Sequence, residues 1–420
     1  MQLYLSHVRS FTREARLFLI TLTVFGFATA VPAVFFTLYL QALGFDRAFI
    51  GLTATASQLG GLVASIPAAA LLDIIGRRRA AIIGALVAQV TVAGALLTTI
   101  PAAIIAIQVV SGFGMVLYAL AVVPLLADVS TTRERTTLFS TVEGCTTLAL
   151  FFGSLLAGVL PGIVAPMLSV GAASPEAYRA VMLGAIVVRT IGIVPLALIH
   201  DHASAQGAPG APDALRQSTL SYFNPRVLLK LKTPIWKFAL PILITYIGGS
   251  LIFPFINLYL KNRFGASDAM LGFIQGATSL SIGVCALLGP FAANALGRAR
   301  VVVIGALFSM ACLALVGFGE MFGLVAIVIV VRAGLYNATL PLYRAYVIDQ
   351  TPPREYAVVN LIYSSAANVG PTIVPPISGY VQDRAGFAPL FVAAMGLYGL
   401  AALFYHLATR RSGGDHTRSA

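Results

Sequence analysis

The sequence predicts an all-α polytopic membrane protein with twelve transmembrane helices in two related bundles of six. Three observations lead to this fold class. Of the 420 residues, 58% are hydrophobic and only 10% are charged, with a mean hydropathy of +0.90, whereas soluble proteins carry about 25% charged residues. The apolar residues form continuous runs of about 20 residues, the length that crosses a bilayer core. Motifs in the first half of the chain also recur in the second half.

The apolar runs predict helices because they show no alternation of period two, the pattern of a transmembrane barrel. The predicted spans are 17–41, 48–72, 80–99, 102–127, 138–160, 179–199, 236–260, 270–293, 301–319, 322–348, 356–380 and 387–408.

The distribution of basic residues predicts the orientation of these spans. Most of the 27 Lys and Arg residues lie on the side that holds both termini. Lys and Arg accumulate in cytoplasmic loops. We therefore expect a multi-pass protein of the cytoplasmic (inner) membrane with both termini in the cytoplasm. The net charge of +12 then reflects topology, and no nucleic-acid partner is expected. The opposite loops hold Arg47, Arg179, Lys261, Arg263 and Arg384.

The two halves of the chain share motifs at one constant offset. Residues 73–79, Asp-Ile-Ile-Gly-Arg-Arg-Arg, recur as Asn-Ala-Leu-Gly-Arg-Ala-Arg at 294–300, 221 positions further on, and Asp128 recurs as Asp349 at the same spacing. Parallel repeats place a pseudo-twofold axis along the membrane normal. The predicted domains are a bundle at 1–199, a central cytoplasmic loop at 200–235, a second bundle at 236–408 and a cytoplasmic tail at 409–420.

The segment from Ala70 to Arg79, Ala-Leu-Leu-Asp-Ile-Ile-Gly-Arg-Arg-Arg, resembles the signature loop of the major facilitator superfamily. The resemblance covers essentially the whole chain, through the span number, the central loop and the repeated loop. Two positions depart from the family pattern: Ile74 stands where a basic residue is common, and Asn294 replaces the acid of the second copy. The resemblance implies an alternating-access carrier in which one bundle rocks against the other around a central cavity.

The resemblance also implies that the loop Asp and Arg residues hold a cytoplasmic gate closed. A carboxylate stabilises a helix N-terminus, and guanidinium groups pair with carboxylates or carbonyl groups. In the alternative interpretation, the arginines determine topology only. The candidate gating residues, from both copies of the motif, are Asp73, Gly76, Arg77, Arg79, Asp128, Asn294, Gly297 and Arg298.

Glu143 is the one acidic residue that the sequence places within a predicted span, a few residues into span 5. A carboxyl group in a membrane is a functional candidate because its charge is costly there. Glu143 is therefore the candidate for taking up a coupling proton. The alternative is that Glu143 reaches water or pairs with Arg133 or Arg135.

Other polar residues inside the predicted spans are candidates for lining a substrate cavity. Arg332 and Tyr336 share one helix face because they are four residues apart, and a guanidinium group there could hold an anionic substrate. A structural role for Arg332 is the alternative, and most intramembrane amides are expected to join helices by hydrogen bonds. The substrate-cavity candidates are Arg332, Tyr336, Asn337, Arg189, Gln108, Tyr246 and Asn257.

These observations predict a secondary active transporter of a small organic solute, with proton coupling as one option and efflux favoured over uptake. An organic-anion exchanger without proton coupling, and a non-transporting membrane receptor on the same scaffold, are the alternatives. No enzymatic motif, metal-ligand spacing or cofactor motif is present in the sequence. The expected partners are the solute, the lipid bilayer and protons, and the protein is expected to be a monomer.

Overall fold

The computed structural model describes residues 11–130, 135–199 and 235–410. The predicted central loop, 200–235, and the predicted tail, 409–420, lie outside these residues except at their edges. The described residues form helices, which we number in chain order: α1 Arg13–Ala42, α2 Arg47–Ile75, α3 Arg77–Leu97, α4 Pro101–Asp128, α5 Arg135–Met167, α6 Pro175–Ala197, α7 Ile235–Phe264, α8 Asp268–Leu296, α9 Arg298–Phe318, α10 Phe322–Asp349, α11 Tyr356–Ala385 and α12 Ala388–Arg410.

The predicted spans and the observed helices agree in number and order. By length and composition, the described part of the chain contains 11 helices able to cross a membrane. The helix outside that set is α11, which is 30 residues long but carries several Asn, Ser, Thr and Pro residues. Polar caps begin some helices: the Asp46 side chain accepts a hydrogen bond from the Phe49 backbone N–H at 2.7 Å at the start of α2, which satisfies a helix-end donor.

Helix α7 is broken in the middle. Its first piece, Ile235–Ser250, is followed by a 3-10 turn at Phe253–Phe255 and a second piece, Ile256–Phe264. Pro254 lies in this turn and cannot donate a backbone hydrogen bond, which favours an interruption of the helix. The Ser250 hydroxyl donates to the Tyr246 carbonyl at 2.7 Å, so the last turn before the break has an additional hydrogen bond.

The described residues divide into two compact units. Unit 1 contains the described residues up to 199 together with Pro254–Gly283 and Pro375–Arg384, and unit 2 contains 235–253, Val284–Val374 and 385–410. The packing boundary therefore differs from the boundary between the sequence repeats, because α7, α8 and α11 each contribute to both units. In α7 the boundary falls at the break, between Phe253 and Pro254.

Small residues allow close helix packing in unit 1. A Cβ atom added at Gly114 of α4 would lie 2.7 Å from the Ala88 backbone nitrogen of α3, and one added at Gly84 would overlap the Tyr118 backbone. Helix association in lipid depends on such close approach, since apolar side chains alone gain little by leaving the bilayer. Unit 2 has its own core, in which Ile242, Tyr343 and Tyr405 are almost fully buried.

Candidate functional site: paired helix ends and intramembrane arginines

The turn between α2 and α3 depends on a glycine conformation. Gly76 has φ 83° and ψ 158°, a region that is essentially accessible only to glycine. Gly297, 221 positions further on, has φ 84° and ψ 139° between α8 and α9. The repeated signature motif thus forms the same tight turn in both halves of the chain.

An ion pair accompanies this turn in each half. Nη1 of Arg77, in the first turn of α3, donates to both carboxylate oxygens of Asp128 at the end of α4, at 2.5 and 2.6 Å. In unit 2, Arg298 makes the corresponding ion pair with Asp349. Both pairs are partly exposed, so each should contribute modestly to stability. The same ion pair in both repeats shows that each motif arginine links two neighbouring helices of its own repeat.

Three of the candidate gating residues with polar side chains do not take part in such pairs. Asp73, Arg79 and Asn294 are exposed, and their side chains form no hydrogen bond or ion pair with another residue in the part of the chain that the structure describes. The carboxylate that pairs with the motif is Asp128, and its partner is Arg77. A gating role for Asp73 stays a prediction.

At the other end of unit 1, α5 and α8 meet backbone to backbone. A Cβ atom added at Gly158 of α5 would lie 2.7 Å from the Asp268 carbonyl oxygen, and one added at Gly272 of α8 would lie 2.7 Å from the Gly158 Cα and would overlap the Ser154 carbonyl. We call this contact the α5–α8 seam. Only glycine permits this separation, since ordinary carbon contacts are about 3.5–4.0 Å.

A second seam with the same design joins α2 and α11. A Cβ atom at Gly51 would overlap the Pro375 carbonyl, and one at Gly379 would overlap the Arg47 carbonyl. Gly51 and Gly272 differ by 221 positions, and so do Gly158 and Gly379. The α2–α11 seam is therefore related to the α5–α8 seam by the internal repeat.

Charged side chains flank both seams. Beside the α2–α11 seam, the Asp383 carboxylate accepts hydrogen bonds from the backbone N–H groups of Arg47 and Ala48 at 3.0 and 3.2 Å. Beside the α5–α8 seam, the Tyr178 hydroxyl donates to Asp268 at 3.0 Å, and Lys261 contacts both groups.

Neither seam was predicted from the sequence, in which Asp268 and Asp383 are only acidic residues outside the predicted spans. The offset of 221 positions, already visible at Gly51 and Gly272, extends to Gly158 and Gly379. That extension is the signal that could have located the seams.

Arg332 lies in an aromatic box in unit 2. Its side chain is 4% exposed, and Nη2 donates to the Tyr398 hydroxyl at 2.8 Å. The guanidinium carbon lies 4.1 Å from the Phe253 ring centroid and 5.3 and 5.1 Å from those of Tyr336 and Tyr398. Among the described residues, no carboxylate forms an ion pair with Arg332. Arg332 and Tyr336 lie together, but the rings enclose the cation, and a role for Arg332 in a substrate cavity stays a prediction.

The remaining cavity candidates occupy separate places. Asn257 donates to the Val34 carbonyl of α1 at 3.1 Å in unit 1, and Asn337 donates to a carbonyl of its own helix. Gln108 is buried and Tyr246 is half-buried. Arg189 lines a crevice between α1, α3 and α6. Their roles in a substrate cavity stay predictions.

Glu143 lies in α5, eight residues after Arg135 at the helix start, and it is exposed. It forms no ion pair with another described residue. Arg135 instead contacts Ser130 and the Ala127 carbonyl, while Arg133 lies outside the described residues. Proton uptake by Glu143 stays a prediction.

Apolar membrane-spanning helices, repeated motifs and repeated ion pairs define a polytopic membrane protein built from two homologous halves. The family model for the Major Facilitator Superfamily matches residues 17–245 and 238–419. The chain belongs to this superfamily and is a solute transporter with the two-domain architecture of its members.

Solved structures show the same fold. The nucleoside transporter NupG matches with a TM-score of 0.74 and 13% identity over 96% of this chain and 99% of that one. A D-xylose-proton symporter matches with a TM-score of 0.70 and 13% identity, over 94% and 96% of the two chains. A bacterial homolog of the human lysosomal transporter Spinster, in an inward-facing and unoccupied conformation, matches with a TM-score of 0.72 and 14% identity. The match covers 94% of this chain and 96% of that one. No curated protein matches the chain.

Proposed function

We propose that the protein is an alternating-access secondary transporter that exports a small organic solute across the cytoplasmic membrane, with both termini in the cytoplasm. The paired seams carry this proposal. They join α2 and α5 of the first repeat to α11 and α8 of the second, and the repeat relates one seam to the other. The two seams are equivalent contacts between the repeats at the same end of the helices. A substrate pathway that is closed at that end would require such contacts.

The chemistry of the seams suits repeated opening. Each consists of glycine backbone against backbone carbonyl groups, so separation of the helices does not require large side chains to repack. The flanking charges, Asp268 with Lys261 and Asp383 with the N-terminus of α2, favour the closed arrangement. Water entering an open seam would solvate these same groups.

Glu143 is the candidate for proton coupling in this proposal. It is exposed within α5 and forms no ion pair with a described cation, so no such ion pair would have to break if a proton bound there. The alternative is exchange of organic anions without a proton step. The enclosure of Arg332 by three rings gives no specific support to Arg332 as the anchor in that alternative.

A disulfide across the α5–α8 seam tests alternating access. A Cβ atom at Gly276 would lie 3.5 Å from the Ser154 Cβ, within the separation that a disulfide requires. The variant Ser154→Cys/Gly276→Cys, in a background lacking the three native cysteines, is reconstituted into liposomes. Flux is then measured for nucleosides, pentoses and amphiphilic organic ions.

Oxidation should abolish the flux of the transported solute and reduction should restore it, while each single-cysteine variant stays insensitive. Full flux through the cross-linked protein would contradict the proposal. A pH change that accompanies flux, and its loss in Glu143→Gln, would support proton coupling. Strict counterflow without a pH change would support the exchanger instead. Absence of both flux and thermal stabilisation across the panel would favour a receptor.

A further inference from the structure

One guanidinium group inside a membrane-spanning helix of unit 2 takes no part in the seams, the motif ion pairs or the aromatic box. Arg344 lies five residues before the end of α10 at Asp349, about 7.5 Å along the helix, and it is exposed. Among the described residues, no carboxylate forms an ion pair with it. Charged side chains in membrane-spanning helices almost always face the protein interior or a water-filled cavity, so the groups around Arg344 indicate what it can bind.

An asparagine of the neighbouring helix holds this guanidinium group in one direction. Nη2 of Arg344 donates to Oδ1 of Asn360 in α11 at 2.6 Å. This bond uses one of the five N–H groups of the guanidinium, and it leaves the Asn360 amide nitrogen without a hydrogen bond in the described part of the chain. Tyr363, about one turn further along α11, lies near enough to interact with the charge of Arg344. Arg344 and Asn360 thus present N–H donors side by side.

The surface around Arg344 is polar and is separate from the exposed apolar surface of the same helix. Leu335 of α10 is 44% exposed and lies nine residues before Arg344, which places the two side chains on opposite sides of the helix. On α11, Ser364 and Asn368 follow Asn360 at intervals of four residues and share its face, and Asn368 is exposed. A row of hydroxyl and amide groups therefore leads from the guanidinium further into the span.

The internal repeat shows that these polar groups are not part of the duplicated scaffold. At the offset of 221 positions, the counterparts of Arg344, Asn360 and Tyr363 are the apolar residues Val123, Phe139 and Val142. The residues of the motif ion pairs and the glycines of the seams, in contrast, recur at that offset. Structural contacts are thus duplicated, whereas the guanidinium and its polar neighbours occur in one half only, as expected for a group that binds a single solute.

We propose that Arg344 binds a carboxylate group of the transported solute. The planar fork of a guanidinium group matches the two oxygens of a carboxylate and can bind them through two parallel hydrogen bonds. The amide N–H₂ of Asn360 can donate to the same oxygens, and the polar groups along α11 suit a hydroxylated remainder. The inference rests on the proposed transport function and narrows its solute to hydroxylated organic anions, with Arg344 as the charged contact in place of the enclosed Arg332.

Matched pairs of an acid and its uncharged amide test this inference on the purified full-length protein. The pairs are glucuronate with glucuronamide, glycerate with glyceramide, and benzoate with benzamide, and glycerol phosphate replaces the carboxylate of glycerate by a phosphate. Thermal unfolding in detergent, at constant ionic strength, reports the binding of each compound. Glucuronate or glycerate should raise the unfolding temperature more than its amide does, because the amide has no charge to pair with the guanidinium. Benzoate, which lacks hydroxyl groups, should stabilise less.

Substitutions assign the preference for the acid to Arg344. Arg344→Gln should weaken binding of the stabilising acid by about tenfold or more, as expected for the loss of a charge-assisted hydrogen bond, without weakening that of the matching amide. Asn360→Ala should weaken it less, since it removes one donor and frees the guanidinium to move. The matched control is Arg300→Gln, which removes an exposed cation near the start of α9 in the same unit and should bind the acid as the parent does.

A second variant decides the inference if Arg344→Gln does not fold. Arg344→Lys keeps the charge and loses the fork, so it should still prefer the acid to the amide but bind it several-fold more weakly. The inference is overturned if no acid stabilises the protein more than its amide does, if the Arg344 variant that folds keeps the parental affinity, or if Arg300→Gln loses as much. Stronger stabilisation by glycerol phosphate than by either hydroxylated acid would overturn it too, since phosphate would then be the preferred group.

Failure of this inference is distinguishable from failure of the transport proposal. Flux that stops on oxidation of the seam cysteines, in a protein that shows no preference for acids, would remove only the role of Arg344. Binding of an acid by Arg344, in a protein whose cross-linked seam leaves flux intact, would remove only alternating access.

Discussion

Adding one methyl group to the α5–α8 seam should open that end of the protein. In Gly272→Ala, the new Cβ would lie 2.7 Å from the Gly158 Cα and would overlap the Ser154 carbonyl. Carbon atoms in contact are about 3.5–4.0 Å apart, so the two helices must separate by about 1 Å. Overpacking of this kind costs about 1–3 kcal/mol. In the alternating-access proposal the seam exists only while this end is closed, so the cost applies to the closed state alone.

The expected result is a shift of the closed-to-open equilibrium by a factor of about 5 to 150. The reporter is Ser154→Cys in a background without native cysteines, since Ser154 is 1% exposed beneath the seam. Maleimide in the surrounding solution reacts with this thiol only when α5 and α8 part. While the closed state predominates, the labelling rate follows the open fraction and should rise by the same factor in Gly272→Ala.

A neighbouring glycine provides the matched control. Gly162 lies one turn further along α5 than Gly158, and a Cβ atom there would meet nothing within 4 Å. Gly162→Ala should therefore label at the rate of the parent protein. Equal labelling rates in Gly272→Ala, Gly162→Ala and the parent would refute the reasoning, because they would show that the close approach does not limit opening.

Three further predictions follow from the motif turn, the motif ion pair and the aromatic box. Asp128→Arg should lower transport, and adding Arg77→Asp should restore part of it by rebuilding the pair with reversed charges; a double variant no better than the single one would exclude a direct pairing. Gly76→Ala should lower the free energy of unfolding by about 1–3 kcal/mol because its backbone conformation excludes a side chain, whereas Gly323→Ala, where a Cβ atom meets open space, should have little effect on thermal unfolding. Arg332→Met should unfold at or above the temperature of the parent, since it removes a buried cation that no described carboxylate neutralises while it keeps most of the volume; a large fall in that temperature would show that the Tyr398 hydrogen bond and the three rings more than offset the cost of burying the charge.

Much of the fold was predictable because lipid imposes strong rules on sequence. The length of apolar runs located the helices, and the constant offset of 221 positions indicated two homologous halves. Asp128 and Arg77 were both among the candidate gating residues, and the structure shows that they form an ion pair. These features depend on local composition or on the repeat, and both can be read directly from the sequence.

The arrangement of the polar side chains was less predictable. Tyr178, Lys261 and Asp268 meet although 83 residues separate Tyr178 from Lys261. The sequence shows each only as a residue near a helix end. Arg332 was expected to face a cavity, yet its guanidinium is enclosed by rings from α7, α10 and α12. Helical periodicity gives the direction of a side chain relative to its own helix, but it does not identify the neighbouring helix.

The interruption of α7 has a mechanical consequence. At the 3-10 turn of Phe253–Phe255, the regular α-helical backbone hydrogen bonds are interrupted. A change in the angle between Ile235–Ser250 and Ile256–Phe264 would therefore break few α-helical hydrogen bonds. The resistance of this turn to bending would come mainly from the packing of the Phe253 and Phe255 rings. Bending at this turn should therefore cost less backbone hydrogen bonding than bending the middle of an unbroken helix.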